Sequence, residues 1–153
     1  MRTYFDHEKL DVYRLELRFI TWVTRLLLDI KQRSTNARIA DVSDQLDRAS
    51  LSALLNTAEG NGRRQRRTRA KFFDDARGSA TECAACLDAL VAKAVCSGGE
   101  IDEGKQLLLR IASMLTKLIE RFDVSSSSSS SSSLIQEEPE EERFEDENEH
   151  EQP

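Results

Sequence analysis

Proline is absent from residues 1–124, because both prolines of the 153-residue chain, Pro139 and Pro153, lie near its C-terminus. Glycine is also sparse, and five of the six glycines fall in two groups, at 60–62 and 98–104. Proline interrupts helices and glycine weakens them, so a segment with so few of either favours long helices joined by short turns. Alternating strand patterns of useful length are missing as well. The sequence therefore predicts an all-α fold.

Long apolar runs are also missing. No run approaches the roughly 18 apolar residues needed to span a bilayer, which argues against a transmembrane segment. The first eleven residues are mostly charged or polar and do not look like a cleavable leader. The three cysteines, Cys83, Cys86 and Cys96, are an odd number. This pattern favours free thiols in a reducing compartment, so we expect a cytoplasmic protein.

Apolar residues recur at steps of three and four in four segments, which is the spacing of one face of an α-helix. We expect helices at about 8–31, 37–60, 68–96 and 101–123. The inward positions of the first are expected to be Leu10, Tyr13, Leu17, Ile20, Leu27 and Ile30, on a face widened by Val12, Phe19, Trp22 and Leu26. The third has a heptad-like seam rich in alanine, so we expect it to lie centrally. An antiparallel four-helix bundle is the simplest architecture for these segments.

Helix one carries more apolar residues than one face needs, including Phe19, Trp22 and Leu28. Such a surplus usually marks an interface, so we expect a homo-oligomer.

The composition changes where the fourth helix ends. Residues 125–133 are nine serines, and residues 137–151 hold ten acidic residues and one arginine. Neither segment buries enough apolar surface to offset the entropy of ordering, about 1–2 kcal/mol per residue. We therefore divide the chain into a bundle, 1–124, and a disordered serine-rich linker with an acidic tail, 125–153. The tail either competes with basic residues of the fold or only keeps the chain soluble.

The remaining 18 acids and 21 bases leave a small positive excess, which is concentrated in one run between residues 63 and 71. The six bases of this run are Arg63, Arg64, Arg66, Arg67, Arg69 and Lys71. Arginine presents a planar fork that suits phosphate. The run also stands where a helix begins, a place at which the macrodipole favours acids. It predicts contact with the phosphate backbone of RNA or DNA, and a merely solvated charge run is the alternative. No aromatic residue interleaves it, so we expect low sequence specificity.

Catalytic and metal-binding patterns are weak. Cys83-x-x-Cys86 lies inside the alanine-rich third helix, and too few further histidines or cysteines remain to complete a zinc site. We therefore expect buried thiols and no metal or cofactor. The one histidine of the bundle, His7, has no nucleophile pattern near it, so we expect no enzymatic activity. Gly60-Asn61-Gly62 follows a helix rather than a strand, which favours a helix stop with a left-handed glycine over a nucleotide-binding loop.

Four charged residues lie on helix faces that otherwise carry small residues: Arg48, Glu59, Arg77 and Glu82. Charge near a core is costly unless it is paired. We expect interhelical ion pairs among these residues, above all between Glu59 and Arg77.

Several motifs occur together and in order. They are Leu10-Asp11-Val12-Tyr13, Ala58-Glu59-Gly60-Asn61-Gly62-Arg63-Arg64, and Ala76-Arg77-Gly78-Ser79 followed by Glu82. In these motifs the chain resembles the four-helix-bundle proteins encoded within intervening sequences of bacterial 23S ribosomal RNA genes, which are relatives of the accessory variability determinant of diversity-generating retroelements. The resemblance covers about residues 5–122. It implies a ring-like homopentamer with a basic surface and no enzymatic activity, and in the retroelement branch a partnership with a reverse transcriptase and its RNA.

The chain departs from the family pattern at Asp47, where a second base is common, and in lacking the usual proline of the second helix. Its serine-rich and acidic tail also has no counterpart. Two functions stay open. One is an oligomeric helical protein that binds RNA or DNA through the basic run. The other is a protein-interaction module, such as an accessory subunit of a reverse transcriptase or a partner of a ribosomal component, whose arginines pair with acids of that partner.

Overall fold

The computed structural model describes residues 2–33 and 37–123, apart from the side chains of Ala37 and Arg38. After a 3₁₀ turn at Asp6–Lys9, the four helices are α1 (Asp11–Arg33), α2 (Ala37–Gly62), α3 (Arg66–Ala92) and α4 (Gly98–Phe122). No strand occurs in these two stretches, so the predicted all-α fold of four helices is confirmed. The serine-rich linker and the acidic tail lie outside the described residues.

The buried face of α1 agrees only in part with the predicted one, which correctly included Val12, Phe19, Leu26 and Ile30. Leu17 is 36% exposed, whereas Leu15 and Val23, which the predicted face omitted, are buried. Because α1 is apolar around much of its circumference, its spacing indicates a helix without fixing which side points inward. The apolar surplus is also largely used within the protomer: Phe19 is buried, Trp22 packs against α4, and only Leu28 of the three expected interface residues is clearly exposed.

Helix α3 makes its most extensive contacts with α2 and α4, in keeping with the central position predicted from its alanines. Ala76 and Ala80 are fully buried, which allows the backbones to approach closely. Residue numbers rise along α2 as they fall along α3: Gln45 bonds to Glu82, and Ser52 bonds to Ser79 at 3.0 Å.

The expected left-handed glycine at the end of α2 is wrong, because no described glycine has a positive φ and the helix continues through Gly60 to Gly62. Gly60 is needed for a different reason. A Cβ atom there would lie 2.9 Å from the Cβ of Phe72 and 3.1 Å from the Cε1 of Phe73, so glycine permits the close approach of α2 and α3.

Among the described residues, the left-handed one is instead Ala94, with a φ of 56°. It ends α3 in a Schellman arrangement, in which the N–H of Val95 donates to the Leu90 carbonyl at 3.0 Å and the N–H of Ala94 donates to the Val91 carbonyl at 2.9 Å. This turn leads directly into the first residues of α4.

Helix α4 begins with a capping box. The Ser97 hydroxyl accepts from the N–H of Glu100 at 3.3 Å, and the Glu100 carboxylate accepts from the N–H of Ser97 at 2.8 Å. The same carboxylate pairs with Arg33 at 2.6 Å, which ties the end of α1 to the start of α4. Further along, the ring of Trp22 fills the space beside Gly104, where any Cβ atom would overlap it.

One carboxyl group lies inside the core. Glu16 is only 1% exposed, and its Oε1 accepts a hydrogen bond from the Thr57 hydroxyl at 2.7 Å. Its Oε2 has no partner within the described part of the chain. Burial raises the pKa of Glu16 to about 8, although the Thr57 hydrogen bond opposes that shift. The carboxyl is therefore protonated in the folded protein at neutral pH.

Candidate nucleic-acid interface

The basic run lies where three helix ends meet. Arg63 and Arg64 follow α2, and the other four bases occupy the first two turns of α3. The last turn of α4 packs against them through Phe122, whose ring centroid lies 5.5 Å from the guanidinium carbon of Arg66 and 4.8 Å from that of Arg69. Arg121 adds a third guanidinium, 5.7 Å from the same centroid.

Arg69 and Arg66 bind the C-terminal ends of neighbouring helices. Arg69 donates from Nε to the Gly60 carbonyl at 3.2 Å and from Nη2 to the Asn61 carbonyl at 2.5 Å. Arg66 donates from Nη2 to the Arg121 carbonyl at 2.5 Å. Terminal carbonyls of a helix lack backbone partners and carry the negative end of its dipole. Two neighbouring C-termini thus favour positive charge at the start of α3, which explains these two arginines structurally.

Arg63 and Lys71 form exposed ion pairs. Arg63 pairs with Glu59 and lies 4.9 Å from the centroid of the Phe72 ring, while Lys71 pairs with Asp75 at 2.9 Å. The Lys71 side chain is 73% exposed and that of Arg63 is 47% exposed. Such surface pairs contribute about 0–1 kcal/mol, so another anion can replace the carboxylates at small cost.

Arg64 and Arg67 are the two bases of the run that are fully available. Both are exposed, and neither has a hydrogen bond, ion pair or ring contact with residues 2–33 or 37–123. The six predicted residues therefore divide into two that hold helix ends, two in weak surface pairs and two free arginines. Sequence reasoning missed Arg121 and Phe122, because they join the run only through the packing of α4 on α3.

One protein family matches most of the chain. The sequence profile described as 23S rRNA-intervening sequence protein matches residues 8–117. The chain belongs to this family. The match includes the whole basic run and ends just before the last turn of α4. No curated protein matches the sequence. Among the described residues, no helix is long and apolar enough to cross a membrane.

Within the span matched by the 23S rRNA-intervening sequence protein family, the expected ion pair between Glu59 and Arg77 is wrong. Glu59 pairs with Arg63, one helical turn further along the chain. Arg77 pairs with Asp74 at 2.7 Å, and its Nη1 lies 3.5 Å from the Thr116 hydroxyl of α4. Both carboxylates are within a turn of their partners, so less side-chain entropy is lost than in a pair between helices.

The other two charged residues meet through an amide. The side chain of Gln45 donates to Glu82 across the contact between α2 and α3, and its carbonyl accepts from Arg48 at 2.7 Å. Arg48 and Glu82 are thus connected by Gln45 rather than by a direct ion pair. This arrangement connects α2 and α3 in the half of the bundle remote from the basic run.

The cysteines of this family member are buried and free. Burial raises the pKa of the Cys83 thiol to about 12, and it also raises the pKa values of Cys86 and Cys96. Thiols in this state are weak nucleophiles, because the reactive species is the thiolate. His7 stacks on Phe5 with centroids 5.6 Å apart and meets the edge of Tyr13 at 4.8 Å. Neither the three thiols nor the His7 imidazole forms a pair of nucleophile and base with another described residue.

Proposed function

We propose that this protein is a non-enzymatic, cytoplasmic RNA-binding protein that contacts backbone phosphates at the α2–α3 turn, with Arg64 and Arg67 as its primary contacts. The observation that carries the proposal is the exposure of these two arginines without partners among the described residues. Arg63 and Lys71 flank them and can exchange weakly held carboxylates for phosphate. The family name refers to a ribosomal RNA, which favours RNA over DNA as the polyanion.

Sequence specificity is expected to be low. Guanidinium groups lie against the rings of Phe72 and Phe122 and compete with an unpaired base for stacking on them. Phosphate contacts position a protein on a nucleic acid without reading its bases.

The test is the dependence of RNA affinity on salt. Phosphate contacts release counterions, so log affinity falls against log salt with a slope of about 0.7–0.9 per phosphate. The variant Arg64→Gln/Arg67→Gln is expected to flatten that slope by roughly 1.5, because two contacts are lost. Lys31→Gln/Lys93→Gln is the matched control, since both lysines are exposed and unpartnered in the described structure and lie where α4 begins. An affinity that does not change with salt would refute the proposal.

A second part of the proposal is self-association through α1 and α2. Leu28, Leu51 and Leu55 are each more than half exposed, and a groove between the two helices is lined by Leu27 and Ile39. A ring of five subunits is favoured by the family resemblance. We expect Leu28→Glu/Leu55→Glu to shift the sedimentation coefficient towards a monomer, and Leu109→Glu, which alters an exposed leucine of α4, to leave it unchanged. A wild-type monomer at micromolar concentration contradicts this part.

The alternative function is an interaction module that engages an acidic protein surface, such as that of a reverse transcriptase, through the same free arginines. It is favoured if the Arg64→Gln/Arg67→Gln variant loses binding to such a partner while RNA binding is absent in the wild type.

A further inference from the structure

Three more exposed bases follow one side of α4 and end at the basic run. These are Arg110, Lys117 and Arg121, which we call the α4 row. Their spacings of seven and four residues place them on one helix face. With a rise of about 1.5 Å per residue, the row extends for about 16 Å. Arg110 and Lys117 have no partner in the described part of the chain.

The row is continuous with the basic run. Arg66 donates to the Arg121 carbonyl, and the guanidinium groups of both residues lie against the ring of Phe122. Met114 lies between Arg110 and Lys117 along this side of α4 and packs against the core. Two exposed acids border this face: Glu103, seven residues before Arg110, and Glu120, three residues after Lys117. The row itself carries three bases between Arg110 and the run, with Glu120 at its edge.

Before its last turn, the row is turned away from α3. Lys105, which pairs with Asp88 at 2.7 Å, and Thr116, which meets Arg77, mark the side of α4 that contacts α3 there. The row occupies a different face, because 100° of rotation separates successive helical residues.

Helix α1 adds a base on the side of the bundle that faces α4. Arg18 lies one helical turn before Trp22, whose ring packs against Gly104 of α4. Arg18 is exposed and has no partner among residues 2–33 and 37–123. It therefore widens the positive surface towards α1.

We propose that the RNA-binding surface extends from the α2–α3 turn along α4, where Arg121, Lys117 and Arg110 contact backbone phosphates of a base-paired RNA segment. The inference rests on the function proposed for the basic run and gives that site a length and a direction. A helix presents its side chains in a rigid, straight row, which suits the regular phosphates of a duplex. Base-paired RNA is recognised mainly by shape and by backbone contacts, whereas single strands are bound largely by stacking on exposed aromatic rings. Along this surface the rings of Phe72 and Phe122 are half-buried and carry guanidinium groups.

The experiment compares the full-length protein with the variant Arg110→Gln/Lys117→Gln in binding a short fluorescein-labelled RNA duplex. Two lost phosphate contacts are expected to flatten the slope of log affinity against log salt by about 1.8 and to weaken binding by up to about 60-fold at about 0.1 M salt. Glutamine has nearly the helix propensity of arginine and lysine, so the variant is expected to fold normally. Circular dichroism and sedimentation verify that fold and assembly are unchanged.

Two further variants separate this inference from the function on which it rests. If Arg64→Gln/Arg67→Gln flattens the slope and Arg110→Gln/Lys117→Gln does not, RNA binding stands and the extension along α4 is wrong. If neither variant changes the slope, the proposed function fails as well. An equal loss in Lys31→Gln/Lys93→Gln would show that binding follows net charge alone, which overturns the extension. Tighter binding to the single strand of the same sequence would overturn the assignment to base-paired RNA.

Discussion

Glu16 is expected to make the bundle less stable as the pH rises through neutrality. Its ordinary pKa is 4.5, and burial raises the folded-state pKa to about 8. Between these two values the unfolded chain has lost the proton that the folded chain keeps. The folded state therefore binds more protons over this range, and the free energy of unfolding must fall with rising pH. The contribution of the protonated carboxyl is complete below pH 4.5 and is lost as the pH passes the folded-state pKa.

The size of the effect follows from the shift. One proton bound in excess by the folded state changes the free energy of unfolding by about 1.4 kcal/mol per pH unit. From about pH 5 to about pH 8 the loss is on the order of 4 kcal/mol, against a typical total of about 5–15 kcal/mol for a domain. Other shifted groups act outside this range. The Ser97 N–H and the Arg33 guanidinium lower the pKa of Glu100, so its contribution is lost only in more acidic solution. The Cys83 thiol titrates at more alkaline pH.

The assay is urea unfolding followed by circular dichroism at several pH values between about 5 and 8, at one protein concentration, for the wild type and Glu16→Gln. Glutamine keeps a carbonyl for the Thr57 hydroxyl but cannot ionise, so the variant is expected to lose most of the pH dependence and to be the more stable protein at the alkaline end. A wild-type unfolding free energy that stays constant or rises over this range would refute the reasoning. So would an equal slope in Glu16→Gln.

Three further predictions concern other positions. Gly104→Ala is expected to destabilise the fold by about 1–3 kcal/mol in thermal or urea unfolding, because the new Cβ would overlap Trp22. Gly78→Ala is the control within α3: its Cβ meets open space, so the variant is expected to be more stable by about 0.5–1 kcal/mol. Ala94→Gly is expected to raise the free energy of unfolding by about 0.5–1 kcal/mol, measured by urea unfolding, because glycine adopts the left-handed conformation without strain. Deleting the residues after Val124 removes ten acids and one arginine and is expected to tighten RNA binding most at low salt. Equal affinities of the truncated and full-length proteins at low ionic strength would show that the tail does not compete.

The helices were predictable because their apolar spacing is local, and α2 and α4 agree with the predicted ranges to within about three residues, the usual uncertainty of helix ends. The buried face of α1 was predictable only in part, because apolar residues surround most of that helix. A signal for Glu16 did exist: it lies four residues after Val12 and three before Phe19, on a face that both of these apolar residues share. The assumption that charged residues face solvent leads one to overlook a glutamate on the buried face of a helix.

The basic run shows the same limit. Its composition indicated phosphate binding for all six bases, but the division of their roles depends on contacts between segments far apart in the chain. Arg69 reaches the end of α2, and Arg66 reaches the end of α4, 55 residues away in sequence. Only the packing of α2 and α4 against the start of α3 reveals which bases hold helix ends and which face solvent.

The fork by which Arg69 spans the carbonyls of Gly60 and Asn61 sets a limit on how the run can drift in sequence. A lysine carries the same charge, but its single ammonium lacks the planar pair of donors that matches two adjacent carbonyls. Arg64 and Arg67 carry no such geometric requirement in the described structure. Replacing Arg69 with lysine is therefore expected to weaken the hold of α3 on the end of α2, whereas the same replacement at 64 or 67 breaks no contact among the described residues.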